Sequence, residues 1–232
     1  MMENSVILRL LRKISADARI SAIKALTEMS TVEENEAGCV EVETSSILVA
    51  FLTEQSKDKD EEVRRAVAGN PRTTSAVLTE LSKDESYRVR RAVAMNSETP
   101  PAVLMEQSKD KNEEVRLAVL SYSKAPEKAL TELSMDKEWR VRYAVGGELK
   151  TPPAVLTELS KDKEWRVRCA VAGNPGTPPA VLTELSKDKD WHVRYDVARN
   201  PRTPPAVLTE LSKDEDEWNV QKAARDNLSF PK

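Results

Sequence analysis

Apolar positions fall in two short clusters that return every 26 residues. In the stretch Thr177 to Asn200, Val181, Leu182 and Leu185 lie on one side of a first predicted helix. At about 100° per residue, Glu184 points away from them. A polar turn, SKDKD, leads to a second predicted helix in which Val193 and Val197 are four apart. Shifting the chain by 26 residues carries Leu52 onto Leu78, Leu104, Leu130, Leu156, Leu182 and Leu208, and Asp58 onto Asp84, Asp110, Asp136, Asp162, Asp188 and Asp214. Such a period marks a stacked array, in which each unit buries its apolar side against its neighbours.

Start and stop signals frame each unit. Thr-Pro-Pro opens most first helices: proline in the first helical turn sacrifices no hydrogen bond, and the threonine hydroxyl is suited to cap the free N–H groups. Asn200-Pro201 closes the second helix, with asparagine suited to a left-handed cap. Seven units start near Ser46, Thr73, Thr99, Lys124, Thr151, Thr177 and Thr203. Before them, residues 5 to 30 read as two short helices, and ALTEMS at 25 to 30 echoes ALTELS at 129 to 134, a degenerate repeat. The expected organisation is an N-terminal helical cap with an acidic stretch over residues 1–45, then the array over 46–232. The fold class is an all-α solenoid of about seven two-helix repeats. A β-horseshoe is excluded, because LxxLxL strands are missing and the prolines fall where a strand needs donors.

Composition narrows the function. Residues 51 to 232 hold 31 acidic and 31 basic side chains, so the array lacks the general basic footprint of a nucleic-acid binder, although a neutral total can hide two opposite ridges. Cys39 and Cys169, the two cysteines, are far apart and form neither a disulfide framework nor a zinc motif. The N-terminal apolar run is too short for a signal peptide or membrane span, which places the protein in the cytoplasm without a membrane partner. No P-loop, GxGxxG, HExxH or GxSxG occurs and the chain has one histidine, so no enzyme activity, cofactor or metal is expected.

The pattern DxxWRVRxAVAxNPxTPPAVLTELSKD resembles the leucine-rich repeat variant family over residues 46 to 227. The resemblance implies a right-handed superhelix of paired helices, one α and one 3₁₀ in each unit. The family's best-known member carries an N-terminal cysteine cluster that holds an iron–sulfur centre, which needs about four thiolates. One cysteine in the first 50 residues leaves such a cluster without its ligands here. More loosely, the chain is similar to HEAT repeats, which share the spacing of Asp162 to Arg168.

Two columns carry the candidate chemistry. Arg64, Arg90, Arg116, Arg142, Arg168 and Arg194 each follow an aspartate by six residues. In the structural reading each guanidinium bonds an Asp and turn carbonyls of its own or the adjacent unit, with Asp136, Arg142, Asp162 and Arg168 as the central rungs. In the functional reading the arginines hold phosphates. Trp139, Trp165, Trp191 and Trp218 share one position with Tyr87. They form either an external aromatic stripe flanked by Arg140 and Arg166, or packing at the first helical residue that folds over the preceding helix. In the sixth unit His192, Asp196 and Arg199 share a helical face, and a local Asp196–Arg199 salt bridge is expected. The leading expectation is a non-enzymatic scaffold binding a protein or extended peptide. The alternative is nucleic-acid binding, or a HEAT-like DNA glycosylase, through the Arg and Trp columns.

Overall fold

The computed structural model describes residues 14–32, 41–121, 125–215 and 217–229, and every regular element among them is an α-helix. The chain divides into two compact units, Met1–Tyr122 and Ser123–Lys232. The first holds α1 (Ala16–Val32), α2 (Glu41–Gln55), α3 (Glu61–Ala68), α4 (Ser75–Leu81), α5 (Tyr87–Ala94), α6 (Pro101–Gln107) and α7 (Glu113–Val119). The second holds α8 (Glu127–Leu133), α9 (Trp139–Gly147), α10 (Pro153–Leu159), α11 (Trp165–Gly173), α12 (Pro179–Leu185), α13 (Trp191–Arg199), α14 (Pro205–Leu211) and α15 (Trp218–Ser229). Seven helical pairs among the described residues, α2–α3 to α14–α15, thus follow the 26-residue period.

Within each unit the second helices of successive pairs stack directly on one another, α3 on α5 on α7, and α9 on α11 on α13 on α15, while each first helix packs on its own partner. The stacking is close because small residues line the contact. A side chain on Gly146 would bring its Cβ to 3.2 Å from the Cβ of Ala170. Val141, Val145, Val167, Val171, Val193 and Val197 are fully buried between the layers with Leu156, Leu182 and Leu208, each contributing about 1.5–3 kcal/mol of burial.

Both helices of a pair are α, where the family resemblance implies one 3₁₀ helix. In α12, Leu182 N–H donates to the Pro178 carbonyl (3.1 Å) and Ser186 N–H to that of Leu182 (2.9 Å), both α-type bonds. The tighter i→i−3 bonds are confined to the ends, as from Val181 to Pro178 and from Asp188 to Leu185. The start and stop residues also act differently from the expectation. Pro178 is the cap of α12, and the Thr177 hydroxyl donates backwards to the Val171 carbonyl. Asn200 is extended, with φ −67° and ψ 127°, so it is not a left-handed cap. Its amide bridges repeats: Nδ2 donates to the carbonyls of Ala172 (2.6 Å) and Asn174 (3.0 Å), and Oδ1 accepts from Arg202 N–H (2.9 Å). Asn96 and Asn174 make the same bridge to the repeats that precede them.

At the N-terminal end α1 runs unbroken from Ala16 to Val32, with no Gly or Pro inside it; the earlier part of the region expected to hold two helices, residues 5–13, lies outside the described residues. It packs on α2 and α3 as a second helix would, with Ile23 in the core. The acidic stretch after Met29 lies mostly outside the described residues.

Candidate functional site

The arginine column forms an inter-repeat clamp. Arg142 on α9 places Nε 2.6 Å and Nη2 3.0 Å from the two carboxylate oxygens of Asp162 in the next repeat, while Nη1 donates to the carbonyls of Asp136 (2.7 Å) and Lys137 (3.1 Å) in its own turn. Arg168 repeats this with Asp188 and the Asp162 carbonyl, Arg194 with Asp214, and in the first unit Arg64 with Asp84 and Arg90 with Asp110. The aspartate six residues before an arginine therefore supplies its backbone oxygen, and its carboxylate serves the arginine of the preceding repeat. Burial pushes the Asp162 carboxyl up, but the Arg142 hydrogen bond and the Glu164 N–H outweigh it and hold the group below the ordinary carboxylate range. Arg142 and Arg168 are each 7% exposed, so the donors of the fork are turned inward and away from any ligand. Arg19 on α1 starts the ladder by pairing with Asp58 at 2.9 Å; periodicity misses it because it lies 39 residues before its partner rather than 20. In the last repeat Gln221 takes the arginine's place and bonds the Asp214 carbonyl at 2.6 Å.

The tryptophans are the first residues of α9, α11, α13 and α15. Trp139, Trp165 and Trp191 are half-buried and Trp218 is exposed. Their rings are interleaved with planar groups from this same chain. The Arg166 guanidinium lies 5.2 Å from the Trp139 ring centre and 4.5 Å from that of Trp165. The His192 imidazole is stacked 4.6 Å from Trp165 and 3.7 Å from Trp191. The resulting order is indole, guanidinium, indole, imidazole, indole. Arg140 covers Trp139 at 5.7 Å and Lys222 covers Trp218 at 5.2 Å. In the first unit the same column holds Glu61 and Tyr87, and Arg88 spans them, bonded to Glu61 at 2.9 Å and lying 5.5 Å from the Tyr87 ring. In these repeats the second residue of a second helix thus covers the first residue of the second helix before it, by charge in the first unit and by stacking in the second.

One turn further along, Tyr143 and Tyr195 stand edge-on to Trp139 and Trp191, with ring centres 6.4 and 6.5 Å apart. The equivalent residue of the intervening helix is Cys169, too small to continue the row. A concavity of about 590 Å³ opens there, lined by Trp139, Tyr143, Trp165, Cys169, Tyr195 and Asp196, with Arg140, Arg166 and His192 around it. The Cys169 thiol is buried and free, lines the recess beside the Asp196 carboxyl, and is held in its neutral form by burial and by that acid. Burial likewise raises Asp196, and the neighbouring Cys169 thiol and the charges of Arg199 and His192 do not cancel the effect. The expected Asp196–Arg199 salt bridge is not formed: Arg199 lies over the Tyr195 ring at 5.6 Å, and His192 pairs through Nδ1 with Asp190 at 2.9 Å. Arg199 is the last, exposed residue of α13, free to take the ring face.

A family model described as "Leucine rich repeat variant" matches residues 165–190, from Trp165 through the Arg168 clamp to Asp190. Residues 165–190 thus match one leucine-rich repeat variant repeat. A solved structure described as a leucine-rich repeat variant with a novel repetitive protein structural motif is similar at 26% identity and a TM-score of 0.65, covering 94% of this chain and 88% of that one. The YibA protein of Escherichia coli is similar in fold, at 15% identity and a TM-score of 0.53, over 98% of this chain and 97% of that one. No curated protein matches the chain.

The clamp and the asparagine bridge recur from repeat to repeat, whereas the aromatic row, Cys169 and Asp196 belong to a few repeats. Two further concavities lie over second helices as well. One, about 610 Å³, is bordered by Arg65, Arg88 and Arg91, each paired with a glutamate of the first unit. The other, about 410 Å³, lies between Tyr195 and Trp218. Among the described residues no three His, Cys, Asp or Glu side chains are grouped to hold a metal ion, and no helix is long and apolar enough to cross a membrane.

Proposed function

We propose that this leucine-rich repeat variant chain is a cytoplasmic, non-enzymatic interaction module that binds an extended peptide of another protein across α9, α11 and α13. The observation that carries this reading is the interleaved aromatic column beside an open concavity. Sequence-tolerant binding of single-stranded nucleic acid needs free ring faces on which successive bases stack. Here Arg166 and His192 fill the spaces between Trp139, Trp165 and Trp191. The arginines of the clamp are bonded to Asp carboxylates and turn carbonyls, which argues against their holding phosphates. Asp196, the one singular acid that a glycosylase reading would use, lies beside a buried thiol. What remains accessible is an apolar recess with a few polar groups, of the size and character of a side-chain pocket.

The test is a titration of the full chain with a pool of random peptides and with single-stranded oligonucleotides, followed by tryptophan fluorescence at low and high salt. Peptide binding is expected to vary little with salt, and oligonucleotide binding to be weak. Tight oligonucleotide binding that falls steeply with salt and disappears in Trp165→Ala would reverse the reading.

A further inference from the structure

The recess over Cys169 differs from the rest of the array at two positions. Along the fifth residue of the second helix, the row Tyr143, Cys169, Tyr195 is aromatic on both sides of a gap. Along the sixth, the row Ala66, Ala92, Ala118, Ala144, Ala170, Ala223 is broken once, by Asp196. The second change puts a carboxyl at the foot of the gap made by the first. Asp196 forms no ion pair with any described residue, and the Cys169 thiol lines the recess beside it. A carboxylate kept in a partly desolvated position, with Arg199 and His192 near enough to act on it but not paired with it, carries a penalty that an alanine would avoid. Aromatic faces around a single acid are, chemically, a receptor for a cation.

Resting on the peptide-binding reading, we infer that this slot takes the lysine or arginine side chain of the bound peptide, its stem between Tyr143 and Tyr195 and its charge against Asp196. The cations around the rim do not oppose this. The Arg166 guanidinium is bonded to Glu164 at 2.8 Å and stacked on two indoles, and His192 is bonded to Asp190. The Arg140 side chain is exposed, where salt screens its charge, whereas Asp196 meets the incoming charge at contact. A glutamate or phosphate in the slot would instead face Asp196 directly. The exposed helix end beyond Cys169 is glycine, Gly173, with nothing within 4 Å of a would-be Cβ, so a peptide backbone has room to approach there.

The experiment is selection of random peptides displayed against the full chain. It is followed by a double-mutant cycle that pairs Asp196→Asn with replacement of the shared basic residue of the peptide by norleucine. Asp196→Asn keeps the shape and removes the charge, and Asp196→Ala installs the residue that the other repeats carry, so both variants should retain the helical circular dichroism of the parent. The expected result is peptides sharing one Lys or Arg, an affinity loss of about tenfold or more for either single change, and little further loss for the two together. Selected peptides without a basic residue, or an affinity indifferent to Asp196, would overturn this inference and leave the peptide reading standing. Failure of any peptide to bind the folded chain would overturn both.

Discussion

Replacing Arg142 by alanine removes four donated hydrogen bonds at once, two to the Asp162 carboxylate and two to turn carbonyls. The side chains of the pair are each 9% exposed, so water does not readily replace the guanidinium. Asp162 would keep one bond, from Glu164 N–H at 2.9 Å. Charge-assisted hydrogen bonds contribute about 1.5–3 kcal/mol each, and removing one member of a buried pair costs about 3–5 kcal/mol. Partial access of water to the turn carbonyls places the expected loss at the lower end, about 3 kcal/mol. The side chain ties α9 to the loop before α11, so the loss falls on coupling between repeats as well as on one repeat's own stability. Arg142→Lys, a point charge without the planar fork, should recover less than half of it. Urea unfolding followed by circular dichroism at neutral pH measures the change, with exposed Arg140→Ala as the control. A loss below about 1 kcal/mol for Arg142→Ala, or equal losses for Arg142 and Arg140, would refute the clamp as the source of inter-repeat stability.

Further outcomes follow from other residues. Asp110, Asp162 and Asp188 titrate below the ordinary carboxylate range. Their stabilisation is therefore complete above about pH 4 and is lost as pH falls through their lowered values, so an acid titration of stability should be flat near neutrality and fall steeply below that point. Asp196 is shifted the other way, so its ionised form costs stability: Asp196→Ala should raise the urea midpoint at neutral pH, and the gain should vanish at acid pH, where the carboxyl is protonated both folded and unfolded. Asn174→Ala strips donors from the Gly146 and Glu148 carbonyls and should cost about 2–3 kcal/mol in the same assay. The Cys169 thiol, buried and held neutral, should react with a thiol-modifying reagent far more slowly in the native chain than in urea.

The seven helical pairs are legible in the sequence because each apolar column repeats at a fixed interval, so Val193 and Val197 or Leu182 can be placed by comparison within the chain itself. The two-sided grip of Arg142 is only half legible. A spacing of six residues points to Asp136, whereas the carboxylate that closes the clamp is 20 residues on and comes from the next repeat. Arg19 is hidden for the same reason, since its helix departs from the period. Thr177 and Asn200 read as end caps because local rules describe a single helix, and their hydroxyl and amide are drawn instead to buried carbonyls across a turn and across a repeat. The aromatic column is visible as a column. That Arg166 and His192 fill the spaces between the rings cannot be read from periodicity, because it depends on the close approach of α9, α11 and α13, which Gly146 and Ala170 permit at the first of these contacts.

The interleaving and the recess together are tested most directly by the indole N–H resonances of Trp139, Trp165, Trp191 and Trp218 in the full chain, followed by NMR as a display-selected peptide is added. The account predicts that Trp139 and Trp165 move together with the ring protons of Tyr143 and Tyr195, while Tyr87 in the first unit stays still. A response confined to Tyr87, or to the first-helix residues of either unit with all four indoles unmoved, would contradict it.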